Sequence, residues 1–294
     1  MRAGALSLLC SSAAGCDLFS DLDRFEQAPE PDVDAGDDRD DGGAGREDAG
    51  GNDDGLGCAN ARTLCVRLER FSPHVDELVS IDLVTKADNI LRARAIIEPM
   101  GGVAADFVLP LAIPESEVPE AGEDHPLQIE VYADQNKDQM YTPGGADHEW
   151  NLELPTSGNL VFVHDTLFTS IDPRPRSIGG DFHMQFMNMT PHLGQLLEVM
   201  VIESESGRTV GLYRTPALAE ANFEVIIPGI IDPDGTVYRV EFYADLNGNG
   251  SYDDPDDDHT WVIPFVESGE DGVQTEFTHG TDFARLEYQF DFEP

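Results

Sequence analysis

Val237-Tyr238-Arg239-Val240-Glu241-Phe242 runs straight into Tyr243-Ala-Asp-Leu-Asn-Gly-Asn-Gly-Ser-Tyr-Asp-Asp-Pro-Asp-Asp-Asp-His-Thr-Trp261. The first six residues alternate apolar and polar, the period of a half-buried strand. Val262 and Ile263 can begin another strand, so the acidic segment between reads as the tip of a β-hairpin. The stretch occurs twice. Tyr132 to Trp150 aligns with Tyr243 to Trp261 without a gap, at an offset of 111 (243 minus 132). Tyr132, Ala133, Asp134, Asn136, Tyr141, Asp147, His148 and Trp150 recur as Tyr243, Ala244, Asp245, Asn247, Tyr252, Asp258, His259 and Trp261. Ser-Pro-His74 likewise matches Thr-Pro-His192, and Phe162-Val-His164-x-x-x-Phe168 matches Phe277-Thr-His279-x-x-x-Phe283. The chain is therefore an internal duplication.

Period-two segments in the second copy fall at about 182–189, 195–203, 208–214, 222–227, 237–244, 259–265 and 273–278. Ser204-Glu205-Ser206-Gly207 and Asp232-Pro233-Asp234-Gly235 have turn chemistry, and one helical turn is expected over Thr215 to Ala221. Short antiparallel strands at this spacing predict an all-β fold: two tandem antiparallel β-sandwiches, immunoglobulin-like or related. With 294 residues, each copy is long enough to bury a core. The expected organisation is an export signal over 1–16, a disordered acidic linker over 17–57, a first sandwich over 58–171, a linker over 172–181 and a second sandwich over 182–294.

A formal charge of −41 repels phosphate backbones and anionic membrane faces, which excludes a nucleic-acid binder and favours cations. Residues 17–57 are rich in Asp, Glu, Gly and Pro and hold too little apolar surface to offset the entropy of ordering. Arg2, a mostly apolar run and then Ala13-Ala14-Gly15-Cys16 resemble a bacterial lipoprotein signal with its lipobox. The resemblance implies lipid on Cys16, an exported protein held in the bacterial cell envelope or on the cell surface, and membrane contact only through that anchor. Cys58 and Cys65 then remain as a disulfide pair suited to an oxidising compartment, with a zinc pair as the alternative.

Asp245, Asn247, Asn249, Ser251, Asp253 and Asp256 place oxygen-bearing side chains at the alternating positions of a calcium loop, and Gly250 supplies its sharp turn. The pattern D-x-N-x-N-G resembles the loops of dockerins and EF-hands, with Tyr252 where an aliphatic residue is usual. Asp134, Asn136 and Asp138 form a weaker counterpart, because Gln139 replaces the glycine and Gly145 the last ligand.

Strand parity gives a second candidate. If each strand reverses its predecessor, His192, His259 and His279 meet at the pole that carries the acidic loop. His74, His148 and His164 meet likewise in the first copy. Three imidazoles suit copper or zinc. Met184, Met187 and Met189 have no counterparts in the first copy and read as packing residues. The bland alternative is that each histidine bonds a nearby carboxylate or backbone group.

Gly-x-Ser-x-Gly, His-Glu-x-x-His, phosphate-loop and dinucleotide motifs are absent, so no enzyme is expected. The leading expectation is a non-catalytic, surface-anchored lipoprotein whose calcium-stabilised loops bind a protein or glycan. The alternatives are a metalloprotein with three-histidine copper or zinc sites and a structural spacer of the envelope. The repeat over residues 66–285 also resembles duplicated modules of exported bacterial proteins, a likeness that implies no activity.

Overall fold

The computed structural model describes residues 63–98, 105–112, 124–137, 147–155, 159–169, 177–253 and 257–286, with backbone alone for 63, 105–112 and 159. The expected signal, Cys16, Cys58, the acidic tether and the stretch 172–176 between the copies lie outside these residues, as do Asp138 and Asp256.

Among the described residues each copy contributes seven strands. In the first they are β1 (Thr63–Glu69), β2 (Val79–Thr85), β3 (Leu91–Ile97), β4 (Ala105–Ala112), β5 (Leu127–Ala133), β6 (His148–Glu153) and β7 (Asn159–Val163). In the second they are β8 (Gly180–Met187), β9 (Leu197–Glu203), β10 (Thr209–Thr215), β11 (Phe223–Ile231), β12 (Val237–Ala244), β13 (His259–Glu267) and β14 (Gly272–Thr278). The expected all-β pair of sandwiches is what forms. Thr215 to Ala221 is not a helical turn: Thr215 closes β10 and bends follow it. Pro216 lacks an amide hydrogen, and its ring disfavours helical backbone at Thr215. No helix among the described residues is long and apolar enough to cross a membrane.

A three-stranded sheet, β4-β1-β7, covers one side of the first copy, and β11-β8-β14 does so in the second. The remaining strands of both copies make one eight-stranded sheet, β13-β12-β9-β10-β3-β2-β5-β6. In each copy the fifth strand joins the second, third and sixth. The immunoglobulin sandwich differs, setting its second, fourth and fifth strands in the sheet of the first and its third, sixth and seventh in the other. Pairing is antiparallel apart from β1 with β7, β8 with β14, and β3 with β10.

The parallel β3–β10 pair fuses the copies, with Gly211 beside Arg94 and Arg214 beside Ile97. Central strands therefore have both faces covered, and β2, β9 and β10 are buried almost throughout instead of alternating. Leu196, Met200, Ile202 and Leu212 of the second copy pack into the core containing Leu64, Ile81 and Trp150. Val84, Leu91 and Ile96 of the first pack into the core containing Phe182, Val199 and Trp261. Each core takes side chains from both copies, so neither copy is closed by itself.

One rung of this sheet runs His148, Ala133, Val79, Ile97 and Arg214, and its other end runs Leu197, Ala244 and His259. Thr215, next to Arg214, pairs with Leu197 and completes it. The parallel junction thus puts the histidine-bearing ends of both copies at the same end of the sheet, near its two opposite edges.

Candidate metal centres

A tight corner builds each centre. β1 ends, Arg70 takes a left-handed φ of 61°, and Ser72–His74 forms a single 3-10 turn with Pro73 in its first positions. Asp76, at φ 66°, then turns the chain into β2. The second copy repeats the corner with Asn188 (62°), Thr190–His192 and Gly194 (82°). Left-handed backbone at Arg70 costs about 1–2 kcal/mol, so tertiary contacts hold this corner in place. The result drops an imidazole between the two sheets: His74 is fully buried and His192 nearly so.

The other histidines arrive on strands. His148 opens β6 and His259 opens β13. His164 and His279 follow β7 and β14, donating their backbone N–H groups to Glu69 and Met187. The ligand nitrogens of His74, His148 and His164 all lie within 4.8 Å of one another. His148 Nδ1 is 3.4 Å from His74 Nε2. In the second copy, His192 Nε2 is 3.0 Å from His279 Nε2, and the His192 ring centre is 5.1 Å from that of His259. The structure therefore gathers His74, His148 and His164 as one ligand set, and in the second copy it places His279 and His259 each beside His192.

Aromatic rings fix the imidazoles. Phe168 stacks on His148 and Phe283 on His259, each at 4.1 Å between ring centres. Trp150 lies edge-on to His74 and His164, and Trp261 to His192 and His279. The paired tryptophans are buried packing residues, and so are Met184 and Met189. Burial, joined by the neighbouring imidazoles, lowers the pKa of His148, His164 and His259 below the usual value for histidine. Burial lowers His192 too, against the pull of its bond to Gln195. Neutral imidazoles keep their lone pairs for a cation. His164 Nε2 and His259 Nδ1 are buried without a hydrogen-bond partner among the described residues. Such an unmet group costs about 1–3 kcal/mol.

The acidic loop is a ladder of side-chain-to-backbone bonds. Asp245 accepts the amides of Gly248 and Gly250 at 2.6 and 2.8 Å. Asn247 accepts from Asn249 N, and Asn249 from Ser251 N. Asp253 accepts from the side-chain amides of Asn247 and Asn249. Gly248 and Gly250 take φ of 74° and 83°, the turn freedom the motif requires. Arg214 Nη2 donates to Gly250 O at 2.8 Å and ties the loop to β10. Strands flank it where an EF-hand has helices. In the first copy Asp134 is buried and Asn136 exposed.

Asp258, absent from the sequence-derived ligand set, is fully buried and accepts the amides of Leu246 and Asp253. Burial raises its pKa, and Asp245 and Asp253 add to the rise. Its recurrence as Asp147 was the available signal. Glu77 and Gln195, which bond the buried histidines, were also missed; each stands three residues after its histidine. Cys65 is buried and disulfide-bonded, while its expected partner Cys58 lies outside the described residues.

No protein-family model matches the chain, and no curated protein does. Among solved structures, one similar chain is titled a "putative cell adhesion protein" from Parabacteroides distasonis. It is 12% identical, with 78% of this chain and 91% of that one covered at a TM-score of 0.21. That score carries no functional argument.

Proposed function

We propose that the chain is an exported, lipid-anchored metal-binding protein that holds one zinc or copper ion in the three-histidine centre of each copy. The observation that carries this reading is the converging triad of the first copy, matched by the neighbouring histidines of the second, with a buried ring nitrogen in each copy that has no hydrogen-bond partner among the described residues. A cation would take up those lone pairs and replace an uncompensated polar burial with coordination. Three protein ligands leave a fourth position for water or a partner's side chain. Cys16 would supply the anchor and the acidic tether the reach.

The test is metal analysis of protein purified without chelator, followed by Cu2+ titration of the metal-free chain. Two equivalents are expected, falling to one in His164→Ala and none when His279→Ala is added. Pulsed EPR on the two-copper form should give a separation on the order of 30 Å, from strand spacings of roughly 4.8 Å across the shared sheet. Binding that survives both substitutions would refute the reading.

The acidic loop supports a second, compatible reading: calcium stabilises the pole that faces a protein or glycan partner. The favouring observation is the buried Asp258 carboxyl beside Asp245, a like-charge arrangement that a cation would relieve. Millimolar calcium should then raise the melting temperature, and Asp245→Ala should remove the rise. An unchanged rise in that variant would assign the effect elsewhere.

A further inference from the structure

The two triads match in their ligands and differ in what grips the buried imidazole. We propose that Glu77, bonded to His74, makes the first centre the tighter one, so that the protein loads its two ions in a fixed order. The inference rests on the metal-binding reading above and adds to it a determinant of affinity.

His74 Nδ1 lies 2.7 Å from Glu77 Oε2, with side-chain exposures of 0% and 9%. At the same place in the second copy, His192 Nδ1 lies 2.8 Å from Gln195 Oε1. The backbone is alike in both: Glu77 N donates to His74 O at 3.1 Å, and Gln195 N to His192 O at 3.0 Å. Either acceptor keeps the ring proton on Nδ1 and leaves the Nε2 lone pair facing the triad. Only the carboxylate also carries charge. It stabilises the positive charge that develops on the ring when Nε2 donates to a cation, and offsets part of the ion's own charge in a buried place.

Such a partner behind a ligating imidazole typically changes metal affinity by about 10–100-fold. Other nearby charges do not reverse the order. Asp147 beside His148 has its match in Asp258 beside His259. Asp76 and Asp165 stand in the first copy where the second has Gly194 and Gly280, while Asp282 in the second replaces Leu167, so the balance of negative charge still favours the first centre.

The test is competition between the full metal-free chain and a chromophoric chelator for Zn2+. His164→Ala or His279→Ala assigns each constant to its centre. Two dissociation constants about tenfold or more apart are expected, the tighter in the first copy. Glu77→Gln should weaken that centre about 10–100-fold, and Gln195→Glu should tighten the other. Near-UV circular dichroism of the metal-free variants, reporting the aromatic box, should stay unchanged. If Glu77→Gln does not fold, the gain in Gln195→Glu decides the matter. Equal constants, or constants unmoved by both exchanges, would overturn the ordering while leaving the metal centres standing. Failure of the unaltered chain to bind zinc would overturn both.

Discussion

Zinc at a hundred times its dissociation constant should raise the melting temperature of the metal-free protein by roughly 10–20 °C. One saturated site contributes about 2.7 kcal/mol at that excess, and two sites contribute about twice as much. For a folded body of this size each kcal/mol is worth roughly 2–4 °C. The increment should fall by more than half in His164→Ala, which removes the tighter centre, and vanish when His279→Ala is added. It should be flat above about pH 7 and shrink on acidification, because protons compete for the ring nitrogens.

The metal-free baseline will move as well. Lowered pKa values at His148, His164, His192 and His259 mean that the unfolded chain takes up protons first as the pH falls below about 6.5. Those four groups therefore stabilise the fold less in acid. Glu130 opposes them: burial lifts its pKa to about 7, so it favours the folded state on the acid side and loses that contribution as pH rises to 7. The zinc increment at each pH separates coordination from this background. No shift at saturating zinc would contradict the metal centres.

Arg94→Met should cost about 3–5 kcal/mol, read as a lower urea midpoint at unchanged slope. Arg94 sits on β3 at the junction of the two copies and is almost fully buried. Its Nε and Nη2 donate to the two carboxylate oxygens of Asp82 at 2.7 and 2.6 Å. Its Nη1 donates to Pro228 O of the second copy at 2.7 Å. Removing the guanidinium leaves the buried Asp82 carboxylate with the Ser80 hydroxyl but no cation, and takes this donor from the Pro228 carbonyl on β11. The double variant Arg94→Met/Asp82→Leu should recover most of the loss, since a well-packed apolar pair often matches a buried ion pair. A loss under about 1 kcal/mol in the single variant would mean that water reaches Asp82 and that the junction is looser than its burial implies.

The repeat, the seven strands of each copy and the gathering of three histidines at one pole were all readable from sequence. The reason is local: side-chain alternation identifies strands, short turns reverse them, and parity then decides which loop ends lie together. Asp258 and Glu77 were equally visible as letters. Their roles needed the turn that faces Asp258 toward the loop amides and the 3-10 corner that sets Glu77 behind His74.

The fusion of the copies was decided only by tertiary structure. Alternation tells which face of a strand is buried, but not which strand lies beside it, because every edge offers the same row of N–H and C=O groups. Ser80 and Asp82 on β2 and Arg94 on β3 are polar residues that a sheet face open to water would leave solvated. Once β3 pairs with β10 they are buried, and Asp82 is satisfied by Arg94. That one pairing covers the second face of the central strands and brings the histidines of both copies to the same end of the shared sheet.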